Sequence, residues 1–486
     1  MSDFTEVPVL DYALSTSEET KPAFLEKLKH ALLEVGFLYV KNTGIDTVLV
    51  DNVVRLGEAF FDLPEEEKLR LEMKNSPHFV GYSRLGNEIT KSATDWREQF
   101  DLGTELPVPA DDEPRYRWLR GPNQWPSESA LPEFKKTYTE YMDAMGSFSE
   151  QFLSLVAEAL GLERDLFAKY YEGSESASGT KRQDRLKIVR YPDAAELKVE
   201  ESDKVLGVGP HKDSDLSSYL LQASDHKGLQ IQNYSGTWID CPPIPGTFVV
   251  AMGKGMEAIT GGVCVATTHR VIAPAAGEGS RFSIPFFQGV SYDTRYESIE
   301  IPEEVKKLKR GVVKGDAETS PKPGDFRLLG EATLVNRVKS HPDVGAKFYP
   351  EVLAKIRSQE AASAAVGEAL PSEKAATKHA ESLLLIPGPA NTITNSTDEG
   401  GSIPAPRMRP RAPTIVLEKI ESDIPSYGED PGPDGSIERK EAWKMRQADA
   451  TPDEVIVITP VDEHSGSLGF MNIKGTRGSL GAGLAP

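Results

Sequence analysis

Apolar positions recur along this chain at two different spacings, and the change from one to the other divides it. Between Lys21 and Gly36 the residues Phe24, Leu28, Ala31, Leu32 and Val35 fall at helical spacing, and Gly36 supplies the stop. FLYVKNTG (37–44) then reads as a buried strand closed by a turn, and EVPVLDYA near the start as a short strand. A second amphipathic helix is expected over about 45–61. LPEEEKLRLE follows, where Pro64 opens a helix with acids in its first turn, the end at which the helix dipole favours negative charge. The longest periodic run is 131–162. Phe134, Tyr138, Met142, Met145, Phe148, Phe152, Val156 and Leu160 form one apolar stripe there, with Pro132 near its start and Gly161 after it. A stripe of this kind is a packing face, so this helix is expected to buttress the rest.

From Leu186 the period shortens. LKIVRYP, the 205–222 stretch, GLQIQ, TWIDC, GTFVVAM, CVATTHRVIA and RFSIPFFQ are short β segments separated by turn residues. Many evenly spaced short strands indicate a double-sheet jelly roll. The expected fold class is therefore α+β, a double-stranded β-helix (jelly-roll) core with flanking helices. A polar stretch after Val290 leads to GDFRLLGEATLVNRVKSHPDVGAKFYPEVL (324–353), and His341 within it reads as a surface residue amid charge. His30, His78, His226, His379 and His464 have no ligand partner in sequence and are read in the same way.

The end of the chain differs in kind. Residues 358–380 are rich in Ala, Glu and Lys and suit a loose helix, while 386–413 are rich in Pro, Gly, Thr and Asn. Such composition cannot offset the entropy of ordering, so a largely disordered C-terminal tail is expected. TIVLEKI (414–420) and EVIVITP (454–460) are β-prone patches within it, either docking peptides or residual hydrophobics. The expected division is 1–120 as an N-terminal region, 121–185 as buttressing helices, 186–300 as the jelly-roll core, 301–356 as a closing helix and 357–486 as the low-complexity tail.

The chain has 486 residues, 38% of them hydrophobic, and a formal net charge of -20. That acidity argues against a nucleic-acid partner, which needs a basic face, and against an anionic membrane surface. The two cysteines, Cys241 and Cys264, have no paired spacing, which fits a reducing compartment and excludes a tetrahedral cysteine zinc site. No basic and apolar leader is evident, and no stretch approaches the roughly eighteen apolar residues of a spanning helix. A cytoplasmic protein is expected.

The candidate chemistry lies in the β region. In GVGPHKDSDLSSYLLQ (207–222), His211 and Asp213 share one face if 210–214 is extended. His269 comes later, in another β-branched run. Two imidazoles and one carboxylate are the ligand set of a ferrous site with open positions for oxygen and substrate. Arg281 and Ser283, in RFSIPFF, also share one strand face, and a guanidinium fork pairs bidentately with a carboxylate-bearing co-substrate. Asp213-Ser214-Asp215 lacks the glycine and distal glutamate of a calcium loop.

The ordered set of His-x-Asp, His269-Arg-Val and Arg-x-Ser-x-Pro-Phe-Phe, together with GLQIQ, Trp238-Ile239-Asp240 and PPIPGTFVVAMG, resembles the isopenicillin N synthase-like family of iron(II)- and 2-oxoglutarate-dependent dioxygenases. The N-terminal order, with its Gly36-Phe37 strand, Phe60-Phe61-x-Leu63-Pro64 junction, Gly81-Tyr82-Ser83 and 95–100, is similar to the same family, as is the 324–353 segment to its closing helix. The resemblance implies Fe(II) on His211, Asp213 and His269, and 2-oxoglutarate on Arg281, Ser283 and Tyr191. Dioxygen would be the oxidant, ascorbate an activator, and succinate and carbon dioxide the co-products. Tyr82, Leu220 and Phe287 are expected in the substrate pocket, and their apolar character suggests a small, mostly apolar secondary-metabolite-type substrate that is hydroxylated or desaturated.

Three departures from the family pattern bear on the co-substrate contacts. Val189 stands where the family often has asparagine, Ala251-Met252-Gly253-Lys254 replaces an Asn-x-Gly-Asp turn, and Lys212 replaces a common threonine. Two alternatives therefore stand beside the dioxygenase. One is an oxidase of the same family that uses no 2-oxoglutarate. The other is a catalytically silent scaffold that engages a protein partner through its tail.

Overall fold

The computed structural model describes residues 3–90, 93–170, 183–198, 205–295, 297–309 and 328–368, with four short segments nearer the C-terminus. The chain divides into two units, Met1–Leu383 and Leu384–Pro486. Strand β1 (Val9–Asp11) precedes helix α1 (Lys21–His30), which continues into one π-helical turn, Ala31–Val35. Gly36 ends that turn at φ 70, and a Cβ there would meet the Val265 carbonyl oxygen at 2.2 Å. Both the left-handed backbone and the close approach require glycine. The chain leaves as β2 (Phe37–Lys41), parallel to β1.

Helix α2 (Thr47–Phe61) starts where the Asp46 carboxylate accepts from the Val48 N–H. Then come α3 (Glu65–Arg70), β3 (Gly81–Ser83), the short strands β4 (Ile89–Thr90) and β5 (Ala93–Thr94), and β6 (Glu98–Gly103). The buttressing helix, α4, spans Phe134–Ala159. The strand-rich half contains β7 (Arg185–Tyr191), β8 (Leu206–His211), β9 (Ser217–Gln222), β10 (Leu229–Gln232), β11 (Trp238–Asp240) and β12 (Thr247–Met252). It continues through α5 (Lys254–Ile259), β13 (His269–Ile272) and β14 (Arg281–Phe287). Helix α6 (Glu303–Lys306) follows.

Two sheets carry the architecture. One has the order β1-β2-β12-β9-β14-β7-β6-β3, the other β11-β10-β13-β8. On the larger sheet the two-residue alternation separates two environments. Tyr219 and Leu221 of β9, Phe248 and Val250 of β12, and Ile284 and Phe286 of β14 join the core that holds Phe148, Phe152 and Val156 of α4. The Tyr219 ring meets Phe148 edge-on at 5.7 Å and Phe152 at 6.1 Å. Val189, Tyr191 and Val249 point the other way, into a second core with Val208, Leu229 and Val271 of the smaller sheet. Burial of the α4 stripe thus fixes which strand positions face inward between the sheets.

The single closing helix expected over 324–353 is three helices, α7 (Leu329–Ser340), α8 (Pro342–Phe348) and α9 (Pro350–Glu368). The breaks fall on His341 and Tyr349, the residues before Pro342 and Pro350, and both leave the helical region at φ -131 and -136. A proline ring disfavours helical backbone in the residue before it. His341 is not a surface residue but 3% exposed, within the core that includes Phe79, Tyr116 and Tyr349. His78 is buried as well and shares its Nδ1 with the Trp118 carbonyl at 2.8 Å. His379 and His464 lie outside the described residues.

In the second unit, β15 (Ile415–Ile420), β16 (Ala442–Gln447), β17 (Ile456–Ile458) and β18 (Met471–Asn472) pair antiparallel in that order. The β-prone patches are strands, while AWKMRQ (442–447), which carried no β signal amid its charges, is a third. The stretch 386–413, expected to be disordered, lies outside the described residues. Among the described residues, no helix is long and apolar enough to cross a membrane.

Candidate functional site

His211 ends β8 and lies directly across from His269, the first residue of β13. Asp213 is not in the strand but two residues past it, where the Lys254 N–H donates to its carbonyl oxygen at 2.8 Å. This brings Asp213 Oδ1 to 3.7 Å from Nε2 of both histidines, and one ligand atom from each residue falls within 4.8 Å of the others. The remaining polar atoms orient the trio. His211 Nδ1 lies 2.8 Å from the Gly209 carbonyl and His269 Nδ1 3.2 Å from that of Thr267. A proton on each Nδ1 donates to its carbonyl and leaves both Nε2 lone pairs free. The Ser218 hydroxyl donates to Asp213 Oδ2 at 2.5 Å. Burial, then the adjacent His269, lowers His211 to about 4, which keeps the imidazole neutral as metal ligation needs. Burial alone would raise Asp213, but the two imidazoles and Ser218 outweigh it and hold it below the usual carboxylate range. The residues fit a divalent metal with nitrogen and oxygen preference.

Arg281 and Ser283 come from β14 of the other sheet. They pair with Tyr191 and Val189 of β7, and Ser283 also pairs with Gln222 of β9. Arg281 is 1% exposed, its guanidinium lies 5.1 Å from the Tyr191 ring centre, and its Nη2 donates to Gln222 Oε1 at 3.1 Å. Its Nε and Nη1 have no hydrogen-bond partner among the described residues. A buried guanidinium with two unpaired donors is costly without an anion, so a carboxylate fits here. Gly207 packs so closely on Tyr191 that a Cβ would meet its ring at 2.4 Å, which fixes the ring's position.

All six of these residues, with Leu220 and Phe287, line one cavity of about 310 Å³. Tyr82 does not. It is 5% exposed, packs near Phe60 and donates its hydroxyl to Glu98 at 2.5 Å, on a sheet edge away from the cavity.

The walls are mixed: Leu220 and Phe287 stand with Leu229, Val249 and Val290 as an apolar part, and a charged part lies beside it. Glu88, Arg97, Arg185, Lys187, Asp215 and Arg337 line the same space. Glu88 lies 2.6 Å from Arg97 and 3.5 Å from Lys187, and Lys187 lies 3.1 Å from Asp101. Burial pushes Asp215 up to about 7, with Asp213 beside it adding to the effect. None of these six is among the pocket residues expected from the sequence, where Asp215 enters only in the calcium-loop pattern and Arg97 only within 95–100, although the parity of Arg185, Lys187, Val189 and Tyr191 along β7 is a usable signal. Lys212, which replaces the family's common threonine, is buried 3.6 Å from Glu257.

The chain is similar to two sequence families. Residues 7–128 match the non-haem dioxygenase in morphine synthesis N-terminal family, and residues 183–290 match the 2OG-Fe(II) oxygenase superfamily. It is 56% identical over 377 residues to the 2-oxoglutarate-dependent dioxygenase frbJ of Dothideomycetidae sp. (strain 11243), covering 76% of this chain and 99% of that protein. It is 31% identical over 311 residues to the homoarginine-6-hydroxylase 2-ODD-C23 of Glycine max, covering 62% of this chain and 90% of the other. Among solved structures, a full-length Neurospora crassa protein in complex with alpha-KG superposes with a TM-score of 0.52 at 24% identity, covering 68% of this chain and 96% of that one.

Proposed function

The chain belongs to the iron(II)- and 2-oxoglutarate-dependent dioxygenases, and we propose that His211, Asp213 and His269 hold its iron while Arg281, Ser283 and Tyr191 hold its 2-oxoglutarate. The protein is an oxidoreductase that uses Fe(II), 2-oxoglutarate and O2. Dioxygen takes four electrons, two from the oxidative decarboxylation of 2-oxoglutarate to succinate and carbon dioxide and two from the substrate. The iron, when bound, supplies the oxidising chemistry. The chain's own residues supply placement.

One observation carries the assignment of roles. The metal-type trio is built on the smaller sheet, and the buried Arg281 with its two free donors is built on the larger one, both opening into the same cavity. A dicarboxylate can then lie between the sheets with its distal end on Arg281 and Ser283 and its 2-oxo end towards the trio. Val189 is compatible with this arrangement, because it lies in the apolar layer between the sheets. The two facing sheets are consistent with a jelly-roll core over 186–300, with β1, β2, β3 and β6 of the N-terminal region extending the larger sheet and α7 lining the cavity.

The substrate is a small molecule. The charged groups that share the cavity with its apolar residues favour a substrate with polar ends over the mostly apolar one expected from sequence. Relatives at 31% and 29% identity in Glycine max and Arabidopsis thaliana are named homoarginine-6-hydroxylases, and such a substrate is charged.

Succinate formation by iron-loaded protein with 2-oxoglutarate and ascorbate under air tests the reading. Wild-type protein is expected to form succinate and Asp213→Ala none. Bound iron without 2-oxoglutarate consumption, with or without substrates, would favour an oxidase instead.

A further inference from the structure

The wall that α7 presents to the cavity is polar apart from Leu329. Leu329, Thr333, Asn336, Arg337 and Ser340 line it, spaced so as to share one helix face, while Leu334 and Val338 on the opposite side are buried in the core with Tyr116 and Tyr349. Apart from the iron and 2-oxoglutarate residues, Arg281 included, the charges around the cavity are matched with two exceptions. Arg97 is paired with Glu88 and Asp95, Lys187 with Glu88 and Asp101, and Lys212 with Glu257. Arg185 spends its donors on the carbonyls of His78, Phe79 and Leu119 and on Tyr292, so it is held in the frame.

Asp215 and Arg337 remain. Among the described residues, the Asp215 carboxylate has no ion pair and no hydrogen bond to another side chain. Its backbone is fixed: its carbonyl accepts from Gly255, and it lies so close to Gly253 that a Cβ there would come within 2.0 Å. The carboxylate therefore stands in the cavity two residues beyond Asp213 and cannot swing away with its loop. Arg337 has Asp101 at 3.6 Å, beyond hydrogen-bond length, as its one carboxylate contact among the described residues. An apolar substrate would desolvate both groups and compensate neither.

We propose that the substrate is a free amino acid, its ammonium held by Asp215 and its carboxylate by Arg337. A zwitterion matches one unpaired acid and one loosely paired base in the same cavity and leaves the net charge of the cavity unchanged. The inference rests on the reading of the iron and 2-oxoglutarate sites above.

Calorimetry without oxygen, on the full chain loaded with Fe(II) and 2-oxoglutarate, tests it with the proteinogenic L-amino acids. The tightest binder is then compared with its N-acetyl and methyl ester forms. Wild type is expected to lose about ten- to hundredfold in affinity for each neutralised end. Asp215→Asn should bind the free and N-acetyl forms alike while still discriminating the ester. Arg337→Gln should do the converse. Each variant's own thermal shift with 2-oxoglutarate reports that it is folded.

If no amino acid binds, or if neutralised and free forms bind wild type alike, the proposal is overturned. If 2-oxoglutarate binds and yields succinate in that case, the dioxygenase site stands and only the substrate class falls. If 2-oxoglutarate itself fails to bind, the site assignment fails first.

Discussion

His211 and His269 face each other across the pairing of β8 with β13, their ring centres 4.2 Å apart, although β9 to β12 all lie between them in the chain. The pairing register therefore sets the bite of the candidate metal site. Asp213 completes it from a loop whose position depends on hydrogen bonds to the start of α5.

That loop carboxylate is oriented by Ser218, whose hydroxyl reaches Asp213 Oδ2 at 2.5 Å. Partners of this kind typically hold tenfold to a hundredfold of metal affinity. Ser218→Ala is expected to weaken Fe(II) binding by about that factor in a chelator competition. Unchanged affinity would mean that Asp213 keeps its orientation without the serine.

Arg281→Met removes the two donors left unpartnered in the buried guanidinium. The expected outcome is a rise of about tenfold or more in the KM for 2-oxoglutarate, since a hydrogen bond to a charged group contributes roughly 1.5–3 kcal/mol. Iron content per chain should stay that of wild type. A variant with normal KM would remove Arg281 from the co-substrate site.

Glu88 links the sheet to the segment after α7, lying 2.6 Å from Arg97, 3.5 Å from Lys187 and 3.8 Å from His341. Burial alone would raise its pKa, but Arg97 and Lys187 first, then His341 and Arg337, outweigh burial and hold it well below the carboxylate range. A carboxyl lowered on folding stabilises above its unfolded pKa of about 4.3, and that stability is lost as pH falls towards the folded value. His341 is lowered by burial, so it too favours folding less as pH drops below about 6.5. Glu88→Gln is expected to cost about 3–5 kcal/mol in urea unfolding at pH 7. The gap to wild type should narrow below about pH 4. A gap independent of pH would show that the charge is not what Glu88 contributes.

Phe152→Ala opens a void between Phe148 and Tyr219, where α4 meets the larger sheet. A loss of about 3–5 kcal/mol is expected in urea unfolding. A loss below about 1 kcal/mol would mean that the helix can shift to close the gap.

Much of this protein is written in local patterns. The α4 stripe, the glycine stop at Gly36 and the short strands after Leu186 are each set by residues a few positions apart, and each is present with small shifts at its ends. The candidate ligands were legible for another reason: their residue types, order and spacing match a known family, and the folded chain brings all three together. What local pattern could not carry is the filling of the space between them. Tyr82 looked like a pocket residue because of its neighbours in sequence, yet the pairing of β3 at a sheet edge turns it towards Phe60 and Glu98. Glu88, Arg185, Asp215 and Arg337 come from four separate segments, and only the two-sheet arrangement closed by α7 gathers their charges into one cavity. A period in sequence records which face of an element is buried. Which other elements that face meets depends on strand order and register, and those are decided by the packing of the whole chain.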